Sequence, residues 1–312
     1  MPNPEANKEG FRVNQEVYGT TSIGRALAAP RRTGMRLPYV KFFATNQKAR
    51  WALAILLPIL LLAAVAPALP LQPPLESNIR ESLAAPSFAH PFGTDKLGRD
   101  VFSRTLAGIQ VSMAVGLSVA AISLFFGILF GTVSGFFGRG IDRAVMSVVD
   151  IFLAFPSLLL AIGLVSALGA GTIPVVCAIA IADIPRFIRL QRSLVLGLKT
   201  RTFLDAARTV QASRWWLMSR HILPNTIAPL LVAASITTAN AILIEASLSF
   251  LGLGIMPPAP SLGNIIRDGQ LYLQQAWWIS TLPGAVILAI AVALHFLSDG
   301  IREALDPKAR KS

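Results

Sequence analysis

An all-α integral membrane protein with six transmembrane helices is the fold class that this sequence predicts, and three observations carry the prediction. Charged residues make up 14% of the 312 and hydrophobic ones 54%, against about 25% charged in a typical soluble protein. The apolar residues are gathered into runs. No Asp, Glu, Lys or Arg occurs from Trp51 to Leu75, Thr105 to Gly138, Ile151 to Ala182, Ile222 to Ile244 or Leu271 to Ser298. Lysine and arginine, in turn, collect on one side of the topology these runs imply.

A spanning helix needs about 20 apolar residues, each adding about 1.5 Å across a core about 30 Å thick. The first run gives a span at 51–70. Ala64-Val65-Ala66 has the small residues of a signal-peptide cleavage site, but about 50 mostly polar residues precede the run and its apolar core is too long, so a retained anchor is expected. The second span is 108–132. The run from Ile151 to Ala182 is long enough for two, 147–168 and 173–190, separated by Gly169-Ala170-Gly171. The fifth and sixth are 227–248 and 279–300. Residues 1–50, with Pro2, Pro4 and Pro30 and few large apolar side chains before Met35, read as a basic, mobile tail without a fold of its own. The spanning domain is placed at 51–308, with 309–312 a second short tail.

With six spans both chain ends lie on the same side. Residues 1–50 carry nine Lys and Arg, 139–143 two, 186–220 eight and those after Ile301 four, 23 altogether. The opposite side receives four between Leu71 and Arg104, and Arg267. The positive-inside rule makes the 23-cation side, and both termini, cytoplasmic. The net charge of +12 is therefore largely a topology signal. The cations are spread over short loops with no aromatic binding surface, so no nucleic-acid partner is expected; membrane lipid is.

Chemistry is sparse. Cys177 is alone, so no intrachain disulfide can form. His90, His221 and His295 fall outside, inside and within the membrane and cannot converge on a metal. No G-x-x-x-x-G-K-[ST] phosphate loop occurs, since Gly197-Leu198-Lys199-Thr200 lacks both the Gly-Lys pair and the leading glycine; H-E-x-x-H and G-x-S-x-G are absent too. Uphill transport would draw its energy from an ion gradient or from another subunit. Asp150, Asp183, Glu245 and His295 are the ionisable residues in or beside the spans. No two clearly share a face and depth, and Asp183 has Arg186 three residues on, so structural pairing is favoured over a proton relay. The external segment 71–104 balances four cations with Glu76, Glu81, Asp95 and Asp100. Its stretch Thr94-Asp95-Lys96-Leu97-Gly98-Arg99-Asp100 reads as a Gly-bounded turn into a short interfacial helix, serving either as a salt-bridged cap or as a dock for an external partner. Gly127, Gly131 and Gly135 make two overlapping G-x-x-x-G repeats, a helix-packing stripe whose first expected use lies inside this subunit and whose second is a contact with a partner subunit.

The segment Phe203 to Asn225 is basic and polar between greasy neighbours. If helical, Phe203, Ala206, Ala207 and Val210 share one face at i, i+3, i+4 and i+7, with small residues that admit a partner's backbone. Asp205 suits the start of such a helix; Arg208 and Arg214 suit its later part. Two readings fit the pattern equally: a docking knob for another protein, or a helix lying on lipid with Trp215 and Trp216 as interfacial anchors.

The segment also resembles the signature loop of ABC-importer permeases: Glu-Ala-Ala, three residues, Gly, then a downstream Leu-Pro. Here those places hold Asp205-Ala206-Ala207, Gln211 and Leu223-Pro224. His221, Leu223, Pro224 and Asn225 match the His-x-Leu-Pro-Asn ending of the family's dipeptide/oligopeptide/nickel branch. Asp for Glu keeps the charge on a shorter stem, and Gln211 for Gly removes a bend or close-contact point. Three further blocks resemble the second, C-type permease subunit of that branch. They are His90-Pro91-Phe92-Gly93-Thr94-Asp95 with Leu97-Gly98-Arg99-Asp100; Glu245 through Gly254 with Pro257-Pro258; and Asp299-Gly300, Arg302 and Ala304-Leu305-Asp306-Pro307. The likeness runs from about Trp51 to Lys308.

The resemblance implies a six-helix permease with a cytoplasmic coupling helix, in a bacterial-type inner membrane. It implies a heterodimer with a related permease, two cytoplasmic ATPases and an extracytoplasmic substrate-binding protein. ATPase docking would fall to Phe203, Asp205, Ala206, Ala207, Arg208, Val210 and Gln211. ATP and Mg would be used by the partner ATPases, with no cofactor on this chain and no enzyme activity of its own. Di- or oligopeptides are the expected cargo and nickel the lesser alternative. An ion-coupled secondary transporter would instead show inverted repeats and converging intramembrane charges, and a membrane enzyme a compact polar constellation; neither stands out.

Overall fold

The computed structural model describes residues 46–201 and 213–305, all within the compact unit that begins at Phe42. Its main elements among these residues are helices: α1 Gln47–Val65, α2 Val101–Phe137, α3 Arg139–Leu153, α4 Ser157–Leu168, α5 Thr172–Lys199, α6 Leu223–Phe250, α7 Leu262–Gln270 and α8 Trp278–Leu305. One helical turn, Arg214–Leu217, and a π-helical turn, Met218–Ile222, lead directly into α6. The wide turn comes just before Pro224, which lacks an N–H and whose ring would press on the carbonyl four residues back in a regular helix.

Among the described residues four helical segments are long and apolar enough to cross a membrane: Gln47–Ala68, Val101–Phe137, Arg214–Phe250 and Trp278–Glu303. The pair α3 and α4 makes a fifth if its two halves form one span. Here the structure corrects the sequence reading, because 147–168 is not an uninterrupted helix. The chain bends by 90° between α3 and α4, at Ala154-Phe155-Pro156. Pro156 cannot donate to the helix ladder and disfavours helical geometry at Phe155. The next expected span, 173–190, lies inside α5, whose 28 residues reach about 42 Å. Asp183, Arg186 and Arg189 in its middle set α5 apart from the purely apolar spans.

The helices also outrun the apolar runs. The 37-residue α2 starts where the Asp100 carboxylate accepts the Ser103 N–H at 2.7 Å, seven residues before the expected span. The Thr94–Asp100 turn therefore opens straight into α2, not into a separate interfacial helix.

α2 and α6 form the centre. On one side Leu106, Ile109, Ala239 and Ile242 pack with Leu56 and Ala63 of α1, Leu262 of α7, and Ile287 and Ile290 of α8. On the other, Val115, Val119 and Ala241 pack with Ala161 and Val165 of α4 and Val175, Ala178 and Ile179 of α5. Leu57, Leu61, Phe125, Leu129, Leu159 and Leu288 stay exposed, an arrangement that suits lipid.

The glycine stripe faces α5. A Cβ on Gly127 would lie 2.3 Å from Phe187 Cβ, one on Gly131 2.7 Å from the Ile188 carbonyl oxygen, and one on Gly135 2.9 Å from Val195 Cβ. Phe187, Ile188, Gln191 and Val195 are buried on the facing side, and Gln191 Nε2 donates to Thr132 Oγ1 at 2.8 Å. Removing three side chains from α2 lets the two backbones approach closely enough for dispersion contacts along about two turns.

Candidate functional site

Phe203, Asp205, Ala206, Ala207, Arg208, Val210 and Gln211 lie outside the described residues. Their two anchor points do not. The chain leaves α5 after Lys199 and re-enters at Ser213, whose hydroxyl accepts the Trp216 N–H at 3.2 Å and caps the helical turn that follows. Val195 on the leaving side and Leu217, Met218 and Ile222 on the returning side are buried in one cluster, with Val133, Phe136, Phe137 and Leu198 packed against it. The helical turns that flank the segment, at Val195 and at Leu217–Ile222, thus pack on the last turns of α2.

Charge completes this base. Lys199 Nζ donates to the Phe136 and Gly135 carbonyls at 3.0 and 3.3 Å, satisfying acceptors that the end of α2 leaves free and placing a cation at the negative end of its dipole. The Arg214 guanidinium sits 6.0 Å from the centre of the Phe137 ring. Arg192 grips Asp142 through both carboxylate oxygens, Nε to Oδ1 at 2.5 Å and Nη2 to Oδ2 at 2.6 Å, while Ser134 donates to the same Oδ1. One carboxylate therefore ties α2, α3 and α5 together just inside the base.

Sequence reasoning did not find the Asp142–Arg192 pair or the Lys199 clamp, because their partners lie 50 and about 60 residues away and no local spacing marks them. A double-mutant cycle tests the former. Asp142→Ala, Arg192→Ala and the double variant should show a favourable coupling of about 1 kcal/mol, the upper end for a part-exposed pair, since both oxygens are engaged. Unfolding in mixed micelles at low and high salt measures it; a coupling near zero at low salt would leave the tie without energetic weight.

Trp215, 69% exposed, and Trp216, whose ring meets His221 edge-on at 4.8 Å between centres, stand outside the apolar base.

On the opposite end, Asp95 is buried with its Oδ1 accepting the Leu97 and Arg99 N–H groups at 2.8 and 3.0 Å and its Oδ2 paired with Arg99 Nε at 2.7 Å. Arg104 lies 3.7 Å from the same carboxylate, and Arg99 3.7 Å from Asp268 at the end of α7. His90 Nδ1 meets Asp100 Oδ2 at 2.8 Å, and Trp278 Nε1 donates to the Thr94 carbonyl at 3.3 Å. The segment is pinned to α2, α7 and α8 by a connected polar network.

Each ionisable residue in or beside the spans has its own partner. Glu245 is fully buried and accepts from Ser112 at 2.7 Å and Ser249 at 2.8 Å. Asp183 accepts from Thr237 at 2.9 Å and pairs with Arg186 at 3.5 Å. Asp150 takes Arg189 at 2.5 Å, and His295 Nδ1 lies 2.8 Å from the Ala291 carbonyl. These are four separate settings, without the shared hydrogen bonds a proton relay needs. Among the described residues no three His, Cys, Asp or Glu side chains form a group able to hold a metal ion.

Comparison with known proteins shows which family the chain resembles. A family model described as the binding-protein-dependent transport system inner membrane component matches residues 127–311. The chain is 40% identical over 276 residues to the di/tripeptide transport system permease protein DppC of Pseudomonas aeruginosa, covering 86% of this chain and 91% of that protein. It is 39% identical over 265 residues to the dipeptide transport system permease protein DppC of Alkalihalophilus pseudofirmus, covering 85% and 87%. It is also 39% identical over 225 residues to the glutathione transport system permease protein GsiD of Pectobacterium atrosepticum, covering 72% and 75%.

Proposed function

This chain belongs to the inner membrane components of binding-protein-dependent transport systems, the ABC-importer permeases, and from that premise we propose that it carries di- and oligopeptides across the membrane as one half of a permease pair. It is a transport subunit, not an enzyme; membership of the family implies a binding protein and ATPases as partners. In the proposed assembly a related permease completes the pore. Two cytoplasmic ATPases bind through residues 203–211 and the equivalent loop of the partner, and use ATP and Mg on their own chains.

Six crossings, with the bent α3–α4 pair and α5 as the third and fourth, bring both termini to the cytoplasm and give the Lys and Arg distribution its sign. The observation that carries the coupling role is the shared base. Val195 before the 202–212 segment and Leu217, Met218 and Ile222 after it are buried against α2, and α2 is tied to α3 and α5. Closure of the ATPases would move this base and, with it, the helices that alternate access between the two faces.

Peptide cargo rests on the relatives, two of which are named for di- or tripeptides and one for glutathione, itself a peptide. Deleting the system should abolish uptake of labelled di- and tripeptides that the intact strain accumulates. Unchanged peptide uptake with lost nickel uptake would reverse the assignment.

A further inference from the structure

α3 divides into two faces. Arg139, Arg143, Ser147 and Asp150 fall at i, i+4, i+8 and i+11 on one, and Val145, Val148, Val149 and Phe152 at i, i+3, i+4 and i+7 on the other. Val148 is 55% exposed. Asp150 and Asp142 are taken up by Arg189 and Arg192 of α5, whereas the guanidinium groups of Arg139 and Arg143 make no ion pair among the described residues.

Those two ion pairs show how α3 runs. Asp142 and Asp150 are eight residues apart, about 12 Å along α3, but Arg192 and Arg189 are three apart, about 4.5 Å along α5. α3 therefore lies across α5, not along it. Its polar residues meet Arg189, Arg192 and Ser134. Its apolar residues face Phe126 and Phe130 of α2 and Ile181, Ile184 and Ile188 of α5. Asp183 and Arg186, in the same stretch of α5, turn instead to Thr237 and Ser157. Two neighbouring helices thus change from apolar to polar where α3 crosses them, as helices do on leaving a membrane. The expected spans end at 132 and 190 and begin at 147, at this same level.

On the apolar side of α3, the three helices line an open groove of about 600 Å³. Every residue lining it is apolar, so water finds no hydrogen bonds there. Phe126 and Phe130 lie 11 and 7 residues before the end of α2, about 16 and 10 Å. That is about the depth of one leaflet, half of a core about 30 Å thick.

We propose that α3 is an in-plane surface helix that holds anionic phospholipid, with an acyl chain in the groove and lipid phosphates on Arg139 and Arg143. Charge complementarity selects the headgroup, because two unspent guanidinium groups on the polar face offer phosphate planar, two-point donors. Arginine on one face and large apolar side chains on the other is the pattern of helices that rest at the headgroup boundary. α4, 12 residues and about 18 Å long, then carries the chain deeper, so the bent pair still makes one crossing.

The test purifies the assembled transporter, permease pair with ATPases, in detergent and measures its retained lipid by mass spectrometry. Wild type should keep phosphatidylglycerol in preference to phosphatidylethanolamine. Arg139→Gln with Arg143→Gln should lower the retained phosphatidylglycerol by about tenfold. Arg139→Lys with Arg143→Lys, which keeps both charges, should restore most of it. Depth is read with a nitroxide on Val148→Cys or Ser147→Cys, in a Cys177→Ala background, in liposomes of the same two lipids. Oxygen, which concentrates in lipid, should relax the Val148 label more than a water-soluble nickel chelate does, and the Ser147 label should show the reverse.

Equal phosphatidylglycerol in wild type and the glutamine variant overturns the headgroup site. A Val148 label that neither relaxant reaches overturns the lipid occupant, because another subunit then covers the groove. A Val148 label reached chiefly by the nickel chelate puts α3 in water and overturns its surface placement. Loss of the ATPases or the partner permease from the glutamine variant makes the two arginines a subunit contact and overturns the proposal as well.

Discussion

Ala206→Arg or Ala207→Arg is expected to leave the permease inserted in the membrane but stripped of its ATPases and unable to import. The two alanines share a helical face with Phe203 and Val210 if the segment is helical, and small residues on such a face allow a partner's backbone to come close. An arginine on such a face would have no room beside a docked partner. Overpacking a close contact costs about 1–3 kcal/mol, and each 1.4 kcal/mol is about tenfold in affinity. Loss of the larger amount at one docking site would weaken ATPase binding by roughly a hundredfold. Insertion should survive because the segment lies between apolar spans and contributes to none. Trp215→Ala is the contrasting variant. Its side chain is largely exposed and outside the buried base, so its removal should loosen interfacial anchoring more than ATPase contact. Co-purification of the complex, with ATP hydrolysis measured in lipid, separates these outcomes. Normal ATPase retention and transport in both arginine variants would make the segment a lipid-surface helix.

Gly127→Ala is expected to destabilise the permease itself, and Gly131→Ala to do the same. The added methyl at 127 would sit 2.3 Å from Phe187 Cβ and 3.0 Å from its carbonyl carbon, and at 131 2.7 Å from the Ile188 carbonyl oxygen. Part of each obstacle is backbone, so the α2–α5 pair must separate to admit the methyl, at a cost of about 1–3 kcal/mol for each substitution. Gly163→Ala is the control. Nothing lies within 4 Å of the Cβ it would carry on α4, and alanine in a helix interior is better than glycine by roughly 0.5–1 kcal/mol. Thermal unfolding of the detergent-solubilised protein should show lower midpoints for the first two variants and an unchanged or slightly higher one for the third. Equal midpoints for all three would mean that the glycine stripe is not a tight contact.

Much of the architecture was legible because the bilayer imposes a long-wavelength signal. A run of about 20 apolar residues needs no tertiary information to be recognised, and the helices found at 47–65, 101–137, 172–199, 223–250 and 278–305 fall on the expected stretches. The break at Pro156 was the exception. A proline in a spanning helix is tolerated when neighbours satisfy the freed backbone, and Pro58, Pro185, Pro229 and Pro283 all lie inside helices here. Nothing in the run itself distinguishes Pro156 from those four. Its effect depends on the surroundings at 154–157, where Ser157 meets Arg186.

The sequence by itself determined the membrane class, the order of the long apolar stretches, the permease resemblance and the small-residue stripe at 127, 131 and 135. Each rests on composition or on spacing within a single segment. Only the tertiary structure decided which face the glycines meet, that Asp142 joins three helices through Arg192 and Ser134, and that α3 crosses α5 at Arg189 and Arg192. Such pairings join residues far apart in the chain, and the physical reason is the same in every case. Helical periodicity says which side chains share a face, but the crossing of one helix over another selects their partners.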